Sequence, residues 1–321
     1  MVAIETKQWL QMSRGIKMRK AVGTHGTLHR VGDLQKRHDA QQTLPTLLCD
    51  GCNVPVRFVP EHSRPGVDRA PPLLVPAYIA LQKGTEHLPG CRYNAPGHLQ
   101  ALLASGADPE FLSAVDDGRH ELRLLVLQQA LKRGSAGPTA VTAADPRIEG
   151  CLRALADLLT LRAMDESDAL LAAHLTLRLG KKKVDWANFF YALDRYDEAW
   201  ERLGASSSEL PMALLGTVRS HRSPQPADPH GVTYLNCAPK YQQTGVVDRR
   251  DFFEVSVGHA DAAWLRSYPL GAEIVMFGLW RQGRSSTASR PHPTDPRRTI
   301  TSVTHKLALR PSFRRQLTLV E

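Results

Sequence analysis

The stretch Pro269-Leu-Gly-Ala-Glu-Ile-Val-Met-Phe-Gly-Leu-Trp280 decides how the last third of the chain is read. Its apolar run predicts a buried strand over Ala272–Arg281. Upstream, Ala260–Tyr268 reads as a short helical stretch. It is preceded by three more strand candidates, Met212–Ser220, Val232–Cys237 and Phe252–Val257. Downstream lie Ile300–Leu309 and a short sixth candidate, Gln316–Val320. The segments 220–231 and 283–298, rich in Pro, Ser and Arg, fall between strands and are expected to be long loops.

Five strands with one helix between the third and fourth is the element order of an OB-like β-barrel. Residues 211–321 are therefore expected to form an OB-like β-barrel domain, and 269–280 resembles the strand that follows its helix. Such a domain holds single strands of nucleic acid between loops, with bases stacked on aromatic side chains. The expected contacts are Arg222, Tyr234, Phe253, Arg284, Arg290, Arg297 and Arg298, with Tyr241 and Phe252 as further stacking candidates and His221, His230 and His292 on the loops.

Ahead of residue 211 the apolar period changes to that of helices. Asp108–Pro109 is expected to open one, and His120–Arg133 places Leu122, Leu125, Val126 and Gln129 at helical spacing. Asp145–Pro146 is a good cap and first-turn pair for a helix to about Arg162. Asp165–Leu179, closed by Gly180, and the amphipathic Val184–Leu203 complete an expected helical bundle over 101–210.

Residues 1–100 carry short strand candidates, Thr27–Leu34 and Val54–Val59, and a proline-rich loop from Arg64 to Pro76. Cys49-Asp-Gly-Cys52 is a C-x₂-C knuckle, and His87-Leu-Pro-Gly-Cys91 follows with 34 residues between them. Two close pairs of soft or borderline ligands suit a tetrahedral Zn²⁺, and four protein ligands close the site, making it structural. His62 and His98 are alternative fourth ligands to His87. A region so poor in core would draw folding energy from the metal. The fold class expected for the whole chain is thus α+β and multidomain: a zinc-ribbon- or treble-clef-like module, a helical bundle and a barrel.

The series Gly26-Thr-Leu-His29, Leu-Leu-Cys49-Asp-Gly-Cys52-Asn-Val-Pro-Val56, Pro76-Ala-Tyr78, His87 and Cys91 resembles the N-terminal zinc module of competence-protein CoiA-like proteins. The resemblance covers about residues 20–95. It implies a context of single-stranded DNA uptake and processing. That family continues into a restriction-endonuclease-like domain, for which no counterpart follows here.

Composition bounds the rest. Among 321 residues the net charge is +9, but it is uneven. Residues 1–100 hold 13 basic and 7 acidic side chains, 101–211 hold 13 and 17, and 212–321 hold 15 and 8. Basic ends suit a polyanion, and the acidic middle suits protein partners. No run of eighteen apolar residues suggests a membrane span, and no apolar leader is visible, so a cytoplasmic protein is expected. Walker, G-x-G-x-x-G, G-x-S-x-G and H-E-x-x-H motifs are missing, and no catalytic residue is assigned. The expectation is a non-catalytic nucleic-acid-binding subunit of a DNA-processing, mobile-element or defence assembly, single strands favoured. Its alternatives are a divergent metal-dependent nuclease and a protein-interaction scaffold.

Overall fold

A computed structural model describes residues 16–64, 73–75, 77–94, 97, 108–116, 119–134, 146–164, 169–206, 209–223, 231–243, 246–295 and 297–320. The chain divides into two compact units. One comprises Met1–Gly106, Leu161–Leu171 and Glu321, the other Ala107–Thr160 and Ala172–Val320.

In the first unit, β1 (Lys20–Gly23) and β2 (Leu28–Arg30) form a hairpin, and α1 (Val31–Asp39) follows directly. The expected strand over Thr27–Leu34 is thus cut short by a helix whose Leu34 is fully buried. Then come β3 (Leu47–Leu48) and β4 (Pro55–Val59), a separate hairpin of β5 (His62–Arg64) and β6 (Leu73–Val75), and β7 (Tyr78–Leu81). The sheet has the order β2-β1-β3-β4-β7 and is antiparallel throughout. Just ahead of β1, Met18 bridges Ile79 through paired backbone bonds of 2.9 and 3.0 Å. Met18, Ala21, Leu34, Leu47, Val56 and Ile79 are buried together with Cys49. The ligand-bearing module is therefore a five-stranded sheet with a helix, larger than the zinc-ribbon-like element expected.

The second unit overturns the helical bundle. Asp108–Pro109 leads not into a helix but into β8 (Leu112–Asp116), which pairs with β9 (Arg119–Arg123) before α2 (Leu124–Gly134) begins. The expected helix from about 145 forms as α3 (Pro146–Met164). Beyond it the short α4 (Ala169–His174) stops, and Leu175-Thr-Leu-Arg-Leu179 runs on as β10. That alternation is a strand period: Leu175 and Leu177 are 1% exposed while Thr176 and Arg178 are partly exposed. Gly180 (φ +63°) does not cap a helix; it turns β10 into β11 (Lys182–Val184), with Leu179 opposite Lys182. These four strands form a sheet of order β11-β10-β9-β8, in which β9 and β10 are parallel.

The expected helix Val184–Leu203 is likewise broken into pieces. Phe190–Tyr191 is β12, flanked by 3₁₀ turns, and only α5 (Tyr196–Gly204) is α-helical. Three consecutive aromatics, Phe189–Tyr191, are at most 2% exposed. A surface helix buries one stripe, so burial of every position in a row favours strand over helix here.

After α5 come β13 (Leu210–Arg222), β14 (Thr233–Cys237), β15 (Lys240–Gln243), β16 (Arg249–His259), α6 (Ala262–Arg266), β17 (Glu273–Gln282), β18 (Ser286–Pro291), β19 (Thr299–Leu309) and β20 (Leu317–Leu319). The expected self-contained OB-like β-barrel of 211–321 gives way to one nine-stranded sheet. That sheet starts with β12, ahead of the boundary, and carries β15 and β18 besides the five strands and the short sixth, β20, foreseen. Its path is β12-β13-β14-β16-β19-β17-β20, with a further antiparallel pairing of β13 to β17; β16 and β19 are parallel. The segment 283–298 is not a loop, because Ser286–Pro291 pairs with Thr299–Thr304.

One face of this sheet is the main core. Met212, Leu214 and Val218 of β13, Leu235 of β14, Phe253, Val255 and Val257 of β16, Met276 and Trp280 of β17, and Leu307 of β19 pack with Tyr196, Ala199 and Leu203 of α5. Trp280 Nε1 donates to the Met212 carbonyl at 2.9 Å, and the Tyr268 hydroxyl donates to that of Leu317 at 2.9 Å, so both buried polar tips are satisfied. No helix among the described residues is long and apolar enough to cross a membrane.

Candidate metal centre and basic sheet face

The turn between β3 and β4 delivers the first ligand pair. The Cys49 N–H donates to the Val54 carbonyl at 2.8 Å, and the Asn53 N–H to the Cys49 carbonyl at 2.9 Å. Asn53 takes a left-handed backbone (φ +57°), a conformation asparagine tolerates. A Cβ at Gly51 would stand 3.0 Å from Cys91 Sγ, so a side chain there would press on the second ligand pair. Past β7, the Cys91 N–H bonds the Leu88 carbonyl at 2.9 Å, and Asn94 Nδ2 clamps the His87 carbonyl at 3.1 Å.

These turns bring Cys49, Cys52, His87 and Cys91 together, their ligand atoms within 4.8 Å of one another. Cys49 Sγ is 3.7 Å from Cys91 Sγ, while His87 Nδ1 lies 3.4 Å from Cys52 Sγ and 3.6 Å from Cys91 Sγ. The group can hold a metal ion. His62 does not join it: its Nδ1 is bound to the Pro60 carbonyl at 3.0 Å. His98 lies outside the described residues.

The environment sets how these groups ionise without a cation. Burial pushes the Cys49 thiol up to about 12 and raises Cys91 as well. Burial also acts to raise Cys52, yet the N–H groups of Leu88 and Val54 prevail and hold it below the ordinary thiol value. Burial lowers His87, which keeps its imidazole neutral, the form that ligates. Buried thiols resist ionising alone, so a cation is the natural partner for their charge. Beside them Arg92 donates to Asp50, and its guanidinium lies 4.8 Å over the Tyr93 ring.

The second site is spread over the outer face of the nine-stranded sheet, opposite the core. Cross-strand partners share a face. Arg222 is opposite Tyr234, Tyr234 opposite Gly258, Tyr241 opposite Phe252, Phe252 opposite Thr304, and Glu254 opposite Lys306. The Arg222 guanidinium lies 5.0 Å over the Tyr234 ring. Tyr241, 51% exposed, lies 5.5 Å from Phe252. Arg250 and Lys306 belong to the same face by register, with Arg219 bound to Glu254 at 3.0 Å.

Of the residues expected to meet nucleic acid, Arg222 and Tyr234 are thus brought together. Phe253 is not with them. It is 6% exposed in the core, stacked 4.9 Å from His305, because strand parity places it with Val255 and Val257. Its neighbour Phe252 holds the outward position, and that same parity, legible in Phe252-Phe253-Glu-Val255-Ser-Val257, is the signal that assigns it. Tyr241 and Phe252, also expected as stacking residues, share this face, whereas Lys306, absent from the expected contacts, joins only through pairing register.

The expected arginines of 283–298 are exposed, but not alike. Arg284 precedes β18, Arg290 sits on β18 opposite Ile300, and Arg297 lies in the turn to β19. Arg298 grips Asp248 with two bonds of 2.6 and 2.7 Å, which holds that carboxylate below its ordinary value. His221 is turned away, its Nε2 at 3.0 Å from the Leu265 carbonyl. His230 lies outside the described residues.

No family model and no curated protein matches the chain. The likeness of residues 20–95 to CoiA-like proteins therefore rests on the residues quoted for it alone.

Proposed function

We propose that this protein binds single-stranded nucleic acid on the outer face of β13, β14, β16 and β19, and that a structural zinc ion organises its N-terminal module. The carrying observation is the juxtaposition, by strand register, of two aromatic groups and several cations on one face. Arg222 and Tyr234 form one group, and Tyr241 and Phe252 the other, with Arg250 on β16 and Lys306 on β19. Exposed rings give sequence-tolerant stacking, about 1–3 kcal/mol per base, and cations track phosphates. The single carboxylate named on this face, Glu254, is neutralised by Arg219.

Zinc is favoured by distance as well as by donor type. A tetrahedral ion with Zn–S near 2.3 Å and Zn–N near 2.05 Å spaces sulfur pairs about 3.75 Å apart and S–N pairs about 3.55 Å. Three of the six separations, 3.7, 3.4 and 3.6 Å, are within about 0.2 Å of these, and all six lie within 4.8 Å. Four protein donors leave no position for water, so the ion would fold the chain and not react.

Fluorescence anisotropy with labelled single- and double-stranded oligonucleotides, over a salt series, tests the reading. Affinity should fall linearly in log–log form, with a slope of about −0.7 for each phosphate contacted by a single strand. Binding that is absent, or indifferent to salt, defeats the proposal. Metal analysis of the purified protein should return one zinc per chain.

A further inference from the structure

The outer face is not uniform along its length. Tyr234 lies over Gly258, where a Cβ would come within 2.9 Å of the ring's Cε1; the missing side chain lets the ring rest on β16. Phe252 is on the same strand and the same face, six residues earlier. At about 3.3–3.4 Å per residue, the two aromatic groups stand roughly 20 Å apart.

Between them the surface changes character. Ser256 Oγ donates to Asn236 Oδ1 at 2.8 Å, and Asn236 Nδ2 reaches Ser220 Oγ at 3.5 Å. Glu254 accepts from Arg219 at 3.0 Å. Asn236, Ser256 and Glu254 are 6–8% exposed, so this middle is a low polar floor whose groups already bond one another. It offers no ring on which a base can stack.

We infer that the face engages nucleic acid at two separate stacking stations, Tyr234 with Arg222 and Phe252 with Tyr241, and that one strand of about four to seven nucleotides bridges them. The inference rests on reading this face as a nucleic-acid site. A stacked strand advances about 3.4 Å per nucleotide and spans roughly 20 Å in about six steps. A more extended strand needs fewer, down to the smallest single-strand sites, of about four nucleotides. A dinucleotide reaches one station only. With Glu254 held by Arg219, Lys306 and Arg250 remain as the cations beside this floor for the backbone to follow.

Oligothymidylates of 2, 4, 6, 8 and 12 nucleotides, titrated into the full-length protein by calorimetry or anisotropy, provide the test. Affinity should climb steeply from two nucleotides to between six and eight and then flatten. Tyr234→Ala and Phe252→Ala should each weaken octamer binding by about five- to a hundredfold. Because Tyr234 supports the sheet over Gly258, Tyr241→Ala and Arg222→Ala serve as exposed-site variants, and circular dichroism checks that each is folded.

An octamer that binds no tighter than a dinucleotide overturns the two-station inference and leaves the binding face standing. So does loss of affinity from variants at one station only. If no length binds, the functional reading itself falls, and this inference with it.

Discussion

The two candidate sites are built by opposite strategies. The metal centre draws its ligands from two short turns, each pair within five residues, and depends on the backbone being tight and correctly bonded around Cys49 and Cys91. The sheet face draws on residues from Arg222 to Lys306, and no two of its key rings share a turn. One is fixed by local spacing, the other by strand register. The metal module has a small apolar core, whereas the sheet buries Trp264, Trp280, Phe253, Tyr196 and many aliphatic side chains. The difference teaches where each site is vulnerable.

The sharpest way to break the comparison is to remove the metal. Chelation, or Cys49→Ser, should abolish cooperative folding of the first unit, since structural zinc sites contribute on the order of 10 kcal/mol. The sheet should survive. Trp186, Trp200, Trp264 and Trp280 all belong to the second unit, so their fluorescence transition should persist while limited proteolysis cuts within the first. Loss of both together would show that the sheet depends on the ion.

A second contrast lies within one dipeptide. Phe253→Ala should cost about 3–5 kcal/mol of stability by denaturant unfolding, as a cavity in the core. Phe252→Ala should cost less than that and instead lower oligonucleotide affinity. Equal losses would mean that the two faces are not distinct.

Smaller effects refine the picture. Gly51→Ala, which forces a Cβ toward Cys91 Sγ, should weaken zinc binding by about tenfold in a competition titration, in the manner of outer-shell changes. The smallest effect concerns pH. Arg249, through two bonds of 2.9 and 3.1 Å, and then His305 at 3.2 Å, hold the Asp251 carboxylate below its ordinary value. A depressed carboxylate stabilises the fold above its unfolded pKa, about 3.9, and that contribution fades as pH falls through the lower folded value. Asp251→Asn should therefore lower the melting temperature by about 2–4 °C at pH 7, with the gap closing below about pH 4.

The metal ligands were legible because C-x₂-C and H-x₃-C need nothing beyond local spacing to converge. The long strands of the last region were legible for a similar reason, since buried apolar runs between turn residues leave few alternatives. Helices were overread wherever apolar residues were dense. Leu175–Leu179 alternates with period two, and Phe189–Tyr191 is buried at every position, yet each lay inside a longer stretch that also fits a helical stripe. Pairing register was not legible at all. It is set by contacts between segments tens of residues apart, so Lys306 could join the face, and Tyr241 be set against Phe252, only once β15, β16 and β19 were aligned.

The ligand pairs of the metal centre have one more consequence. An ion joining Cys52 to His87 closes a ring over 35 positions of chain. The entropy of closing such a ring grows only with the logarithm of its length, about 0.6 kcal/mol for each doubling. Closure entropy alone would therefore let the span between the two pairs change in length at little cost; what fixes it is β4 and β7, with Val56 and Ile79 buried in the sheet. The four residues at its mouth, and Gly51 beside them, have no such latitude.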